Sequence, residues 1–324
     1  MLLDICKFWA SKAVEDKDGK FHIHKVMGPD EFHEALPGAE EGGLSNNAYS
    51  NIMVSWMMDK AFQTMKNIGG EHSSRILEEL SLSQEHLTRW EKIMHGLTLH
   101  ISSEGVVEQF RGYFSLEELD WEHYRNTYKD IHRLDRILTS EGKSPDDYKL
   151  AKQADFLMTF YNLGTGEVEG TIRELGYKVP KDFARRNFDY YIQRTSHGST
   201  LSRLVHARLA WELGMPDRGW ELYTEALRSD LVDIQGGTTG EGIHCGVMAG
   251  TVYDALVSFA GLDLHGEVAV IDPKLPEHWK GLAFRFTFRG MTMFVSISGQ
   301  QVKISGENMG RDQIKFNLCG KELT

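Results

Sequence analysis

The segment Val26-Met27-Gly28-Pro29-Asp30-Glu31-Phe32-His33-Glu34 sets three carboxylates and an imidazole behind a Gly-Pro break. Gly-Pro fixes the local backbone, so a carboxyl group here is aimed from a loop and not from a helix face. A general acid needs a fixed position, partial desolvation and a proton to give at neutral pH. Glu31 is the candidate for that role. The plainer alternative is that Asp30 and Glu34 only cap and solvate a turn.

Three later segments also carry polar chemistry. Lys152-Gln153-Ala154-Asp155 places two side chains together that supply several donors and an acceptor, a set suited to vicinal sugar hydroxyls. A solvated helix face explains the same residues. Thr195-Ser196-His197-Gly198-Ser199-Thr200-Leu201-Ser202 holds five hydroxyl residues in eight, more than a helix cap requires. With His197 and the free N–H groups of a helix start, it could cradle an oxyanion or phosphate; a capping box would need one hydroxyl. Gln235 to His244 contains four glycines, so backbone or ligand must approach closely there. It has no Gly-Lys-Ser/Thr and follows no strand, which argues against a nucleotide site. His22, His24 and His33 lack metal-ligand spacing, and no metal is expected.

The elements that must position these residues are mostly helical. Leu2, Leu3, Ile5, Cys6, Trp9 and Ala13 show helical spacing with no capping residue before them, so the chain is expected to be a fragment or the second half of a longer polypeptide. After Asn46-Asn47, Ala48, Ile52, Met53, Trp56, Met57, Ala61 and Phe62 form a broad apolar stripe. Ser83 caps a helix to Leu97 carrying Leu87, Trp90 and Ile93. Asp146-Asp147 is expected to start another, carrying Leu150, Ala154, Leu157 and Met158, which puts Lys152 and Gln153 one turn inside a helix. Further helices are expected at about 181–193, 200–213, 216–228 and 246–260, separated by loops at 99–125, 161–169, 194–199 and 233–245. Unequal loops without a fixed-period repeat point to a helical toroid or solenoid. Beyond Gly261 the pattern turns to alternating and β-branched segments around 283–288, 291–298, 302–305 and 313–318, with Arg289-Gly290 and Ser298-Gly299 as hairpin turns. That is a small antiparallel β unit, too small to stand alone, which should pack on the helices.

With 324 residues the chain can bury a large core, and its length suggests two domains. A formal charge of −11 argues against nucleic-acid partners, and no apolar run is long enough to span a bilayer. Cys6, Cys245 and Cys319 form neither a disulfide framework nor a metal pattern, and no signal segment opens the chain, so a cytoplasmic location is expected.

In their order, Gly28 to Glu34, Asn46-Asn47-Ala48-Tyr49, Lys152 to Asp155, Thr195 to Ser202 and Gly240 to Thr251 resemble glycoside hydrolase family 65, the inverting disaccharide phosphorylases of the trehalose, kojibiose and maltose type. The resemblance covers essentially the whole chain. It implies a mainly α fold: the second half of an (α/α)6 barrel over residues 1–262, then a small antiparallel β C-terminal domain over 263–324. The family's N-terminal β-sandwich and early barrel helices would be missing. It implies Glu31 as general acid, Lys152 and Gln153 as contacts to the glucosyl unit, and His197, Gly198, Ser199, Thr200 and His244 as the phosphate site. Asp30, His33, Asn47, Glu108 and Glu241 are possible supporting groups. No cofactor is implied; inorganic phosphate is the co-substrate. Family members are often dimers, so a homodimer or an upstream N-terminal half is the partner to expect.

An inverting hydrolase needs a second carboxyl group roughly 6.5–9.5 Å from the first to activate water. A phosphorylase needs only the acid, because phosphate is already an anionic nucleophile, and its loop should present donors instead of carboxylates. Glu31 should be partly buried, with Asp30 or Glu34 near it, to keep its proton at working pH. Two rivals remain open at this point: a hydrolase with Glu108 or Glu241 as base, and an inactive piece of a split or truncated enzyme. The linkage is not legible, although the Gly-Thr-Thr-Gly-Glu-Gly-Ile-His form of the late loop leans weakly towards trehalose- or kojibiose-type members.

Overall fold

The computed structural model describes residues 1–235, 237, 239–307 and 314–323, apart from the side chain of Glu241. The chain divides into two compact units, Met1–His206 and Ala207–Thr324.

The first unit is built on α2 (Ala48–Asn67), which starts where Asn47 accepts a hydrogen bond from the Ser50 N–H. Its apolar positions Ile52, Val54, Met58 and Ala61 are buried, and it packs against α1 (Leu2–Lys12), α3 (Gly70–Glu79), α4 (Gln84–Gly96), α7 (Leu157–Leu163) and α8 (Thr165–Glu174). Ser83 caps α4 in a reciprocal pairing with His86, and Trp90 and Ile93 face inward as the spacing predicts. Burying a side chain of this size contributes about 1.5–3 kcal/mol, so α2 and α4 anchor the unit. A three-stranded antiparallel sheet, β1 (Ala13–Glu15), β2 (Phe21–Val26) and β3 (Leu44–Ser45), leads into the Gly28-Pro29 loop. Its first turn is held by Asp16, which accepts from the Asp18 and Lys20 N–H groups. The Asp18-Gly19 pair between Val14 and Phe21 was a readable hairpin signal for it.

Two helical expectations fail. Asp146-Asp147 lies in a single 3-10 turn (Pro145–Asp147), and the chain then runs irregularly to α7, so Lys152 and Gln153 are not on a helix. The apolar spacing is real, but the donors a helix would need are used elsewhere. The Ala151 N–H bonds to the Arg194 carbonyl and the Lys152 N–H to the Asp30 carboxylate. Residues 161–169 are not a loop either: Gly164, at φ +82°, is the single break between α7 and α8. The 99–125 stretch is more structured than expected. It holds a bridge between Ile101 and Val107, a 3-10 turn (Tyr113–Ser115) and the start of α5 (Trp121–Tyr128), capped by Asp120. α6 (Leu134–Ser140) buries Leu134 and Leu138, and α9 (Phe183–Ile192) falls within its expected range.

α10 (Thr200–Glu212) follows the hydroxyl-rich loop and continues across the division. The second unit adds α11 (Pro216–Arg228), which carries proline at its first turn, and α12 (Cys245–Asp254), which passes into a π-helical turn (Ala255–Phe259). Two sheets follow. β6 (Gly281–Phe288), β7 (Met291–Ser298) and β8 (Gln301–Glu307) form an antiparallel meander. β4 (Leu262–Asp263), β5 (Ala269–Ile271), β9 (Phe316–Leu318) and β10 (Lys321–Leu323) form the other, in the order β10-β9-β5-β4. The β5–β9 pair is parallel, a departure from the wholly antiparallel expectation, because a long connection returns the chain beside β5. Arg289-Gly290 makes the two-residue turn between β6 and β7 with both φ angles positive, as the sequence predicts. Within this unit Phe259 meets Trp279 at 5.2 Å, and Trp220 stacks on His278 at 4.9 Å, so the β part does pack on neighbouring helices. No helix among the described residues is long and apolar enough to cross a membrane.

Candidate active site

The Gly28-Pro29 loop is seated on a buried polar knot in the first unit. A Cβ on Gly28 would lie 2.0 Å from Asp155 Oδ2 and 2.3 Å from Asn47 Nδ2, so only glycine admits the close approach. Asn47 caps α2 through its oxygen, while its Nδ2 donates to both Asp155 oxygens at 3.0 and 3.1 Å. Asp30 is 2% exposed. Its Oδ1 accepts from the Lys152 N–H at 2.8 Å, and its Oδ2 accepts from Gln109 Nε2 at 3.1 Å and lies 3.0 Å from His33 Nδ1. The other His33 nitrogen sits 3.0 Å from the Tyr148 carbonyl oxygen. Gln153 Nε2 donates to the Pro29 carbonyl. The supporting residues Asp30, His33 and Asn47 thus converge beneath the loop, together with Gln109 and Asp155.

Glu31 points the other way. Its side chain is 61% exposed, and its Oε2 accepts from Lys152 Nζ at 2.5 Å. The partial burial expected for it is absent, because its neighbours take the inward positions. Asp30 enters the knot, and Phe32 joins the apolar cluster of Leu119, Leu134, Leu138 and Leu150. Burial acts instead on Asp155, whose pKa is pushed up to about 8 by desolvation and, next, by the charge of Asp30. Burial opposes a charged His33, yet the hydrogen bond and charge of Asp30 outweigh it and raise its pKa.

The hydroxyl-rich loop is zipped to the Lys152 segment by backbone. The Ser196 N–H donates to the Ala151 carbonyl and the Gly198 N–H to the Lys152 carbonyl, each at 2.9 Å. A Cβ on Gly198 would lie 2.2 Å from the His132 carbonyl oxygen. Thr195 and Ser196 hydroxyls bond to the Tyr191 and His132 carbonyls, and the Ser202 hydroxyl lies 2.9 Å from His197 Nδ1. The hydroxyls of Ser199 and Thr200 have no hydrogen-bond partner among the described residues. Three hydroxyls therefore build the loop.

Behind this loop Arg203, 3% exposed, donates from Nη1 to the His197 carbonyl, and its Nη2 lies 2.9 Å from His132 Nε2. Sequence reasoning missed Arg203, His132 and Gln109. Arg203, three residues past Thr200 on the same helix, could have been found as a cation beside the hydroxyl-rich loop. His132 and Gln109 lie in irregular segments with no periodic signal.

The remaining candidates behave differently. Glu108 is 7% exposed, and its Oε1 accepts from the Gly112 and Phe114 N–H groups, so it organises its own loop. His244 belongs to the second unit and precedes α12. Its N–H donates to Asp230 Oδ2 at 2.9 Å, and its Nδ1 lies 2.7 Å from Asp230 Oδ1. Gly236, Thr238 and the Glu241 side chain lie outside the described residues. Among the described residues, no three His, Cys, Asp or Glu side chains gather as a metal site.

Comparison with known proteins agrees with the motif order. The model of the glycosyl hydrolase family 65 central catalytic domain matches residues 1–253, and that of the family 65 C-terminal domain matches residues 262–324. The chain is 42% identical to the trehalose 6-phosphate phosphorylase of Lactococcus lactis over 94% of its own length and 38% of that protein. It is 28% identical to the kojibiose phosphorylase of Caldanaerobacter subterraneus over 100% of its length and 39% of that protein. A solved structure from the human microbiome, assigned as a kojibiose phosphorylase, superposes with a TM-score of 0.76 at 23% identity, covering 99% of this chain and 41% of that one. The chain thus spans about two fifths of the length of these relatives. On these matches, it belongs to glycoside hydrolase family 65.

Proposed function

We propose that this chain carries the general acid, the donor-sugar contacts and the phosphate loop of an inverting α-glucoside phosphorylase. Once substrate hydroxyls draw Lys152 Nζ away from its carboxylate, Glu31 would take up a proton from solvent and deliver it to the glycosidic oxygen as the bond from C1 to that oxygen breaks. A phosphate oxygen, held at Ser199 and Thr200, attacks C1 from the opposite face, giving β-glucose 1-phosphate and the free acceptor sugar. Lys152 and Gln153 hold the glucosyl hydroxyls, and His197 assists with phosphate. No further cofactor is needed.

The observation that carries this reading is the position of Lys152. Its ammonium pairs with Glu31, while its carbonyl receives the Gly198 N–H. One residue thereby ties the acid to the loop that offers two free hydroxyls. Arg203 lies buried behind that loop, with its guanidinium donating to the His197 carbonyl. The hydrolytic alternative gains nothing from Glu108, whose carboxylate is engaged by two backbone N–H groups.

The relatives are named for phosphorolysis of trehalose 6-phosphate and of kojibiose. The acceptor is therefore tested with trehalose 6-phosphate, trehalose, kojibiose and maltose, each with and without inorganic phosphate, following β-glucose 1-phosphate. Release should require phosphate. Undiminished glucose release in phosphate-free buffer would sink the proposal.

A further inference from the structure

We infer that Arg203 is a positioning residue for the hydroxyl-rich loop. Its guanidinium forks between the His197 carbonyl and the His132 ring, and this clamp fixes the left-handed turn that leads into Ser199 and Thr200. That these two hydroxyls receive phosphate rests on the phosphorylase reading; the clamp itself does not.

The turn needs holding. His197 has φ +55°, in the left-handed region that a residue with a Cβ enters only at a steric cost. Such a conformation persists where its surroundings over-determine it. The His197 Nδ1 lies 2.9 Å from the Ser202 hydroxyl, which is a local contact, and the following Gly198 N–H donates to the Lys152 carbonyl. Arg203 adds a tie to a different segment, the one that precedes α6. Its Nη1 donates to the His197 carbonyl at 2.9 Å, and its Nη2 lies 2.9 Å from His132 Nε2. The His132 carbonyl in turn accepts the Ser196 hydroxyl at 3.3 Å and is the atom against which Gly198 packs. His132 therefore receives the loop at its main chain, and Arg203 joins its ring to the same turn.

The donors and acceptors define the clamp. Arginine nitrogens only donate, so His132 Nε2 must be the unprotonated acceptor. The ring is then neutral, with its hydrogen on Nδ1, 2.8 Å from Asp130 Oδ1. Reaching a carbonyl and a ring nitrogen at once uses the planar fork of a guanidinium; an ammonium brings the charge without that spacing. Arg203 is 3% exposed and lies in the first turn of α10. A cation there works against the helix dipole and against desolvation, so helix stability does not account for it. Its bonds to His197 and His132 do.

The test uses the full chain as wild type, Arg203→Met, Arg203→Lys, His132→Leu and His132→Gln. Amide hydrogen exchange at Ser196 and Gly198 reports the turn with no substrate present. It should quicken roughly tenfold or more in Arg203→Met, Arg203→Lys and His132→Leu, as expected for one lost charge-assisted hydrogen bond. It should stay near wild type in His132→Gln, whose amide oxygen can still accept from Arg203. Wild-type protection in Arg203→Met, or in Arg203→Lys, overturns the inference, the latter because charge alone would then suffice. Should the Arg203 variants fail to fold, equal exchange in His132→Leu and His132→Gln overturns it, and faster exchange in His132→Leu supports it. In turnover, the KM for inorganic phosphate should rise roughly tenfold in Arg203→Lys and His132→Leu, with kcat and the KM for sugar little changed. An unchanged phosphate KM beside quickened exchange overturns the role in positioning the phosphate site. If the wild-type chain itself turns over no glucoside, the phosphorylase reading falls and the exchange rates still decide the clamp.

Discussion

Two carboxyls near Lys152, Glu31 through an ion pair and Asp155 a few residues along the chain, meet opposite surroundings. Glu31 stands in solvent against an ammonium, whereas Asp155 is enclosed among amides. Only the first is placed to touch a ligand. Glu31→Gln should therefore lower turnover by roughly 10²–10⁴-fold, the usual share of a general acid, with an unchanged unfolding transition; retention of most of the rate would refute the assignment. Gly28→Ala should destabilise by about 1–3 kcal/mol in chemical denaturation, since the added methyl meets Asp155 and Asn47, themselves held by hydrogen bonds. Residue types told this much in advance. Glu31, Lys152, Gln153 and the hydroxyl loop could be picked from composition and order, but the outward turn of Glu31 could not. It depends on Phe32 finding a long-range apolar cluster, which no local pattern encodes.

At the scale of elements, long, strongly periodic helices were the legible part. α2, α4, α9, α10 and α11 fall where spacing and caps place them. The segment around Lys152 was misread because its apolar period matches a helix while its backbone donors go to distant partners. The pairing of Ala151 with Thr195 is what joins the Lys152 segment to the hydroxyl loop. Ala151→Pro deletes the N–H that reaches Arg194, leaving a carbonyl unsatisfied at about 1–3 kcal/mol. Beyond that stability loss, the loop should detach and the KM for phosphate should rise more than the KM for sugar. Equal changes in both would count against the backbone zip as the link.

For the molecule as a whole, a charge of −11 predicts self-repulsion, so raising salt from about 0.01 to 0.15 M at fixed pH should raise Tm; a fall would show that specific ion pairs dominate instead. The order of five motifs along the chain indicated the family, and the matches to both family 65 models bear that out. Which atoms lie beneath Glu31 was not readable, because Asn47, Gln109 and Asp155 come from segments 46 to 108 residues apart. The narrow seat of Gly198 bears on protein engineering. A side chain there would strike the His132 carbonyl, which belongs to the main chain and cannot swing aside. Libraries built on this loop can vary position 199, but randomising 198 would spend most of its clones on proteins that never assemble the loop.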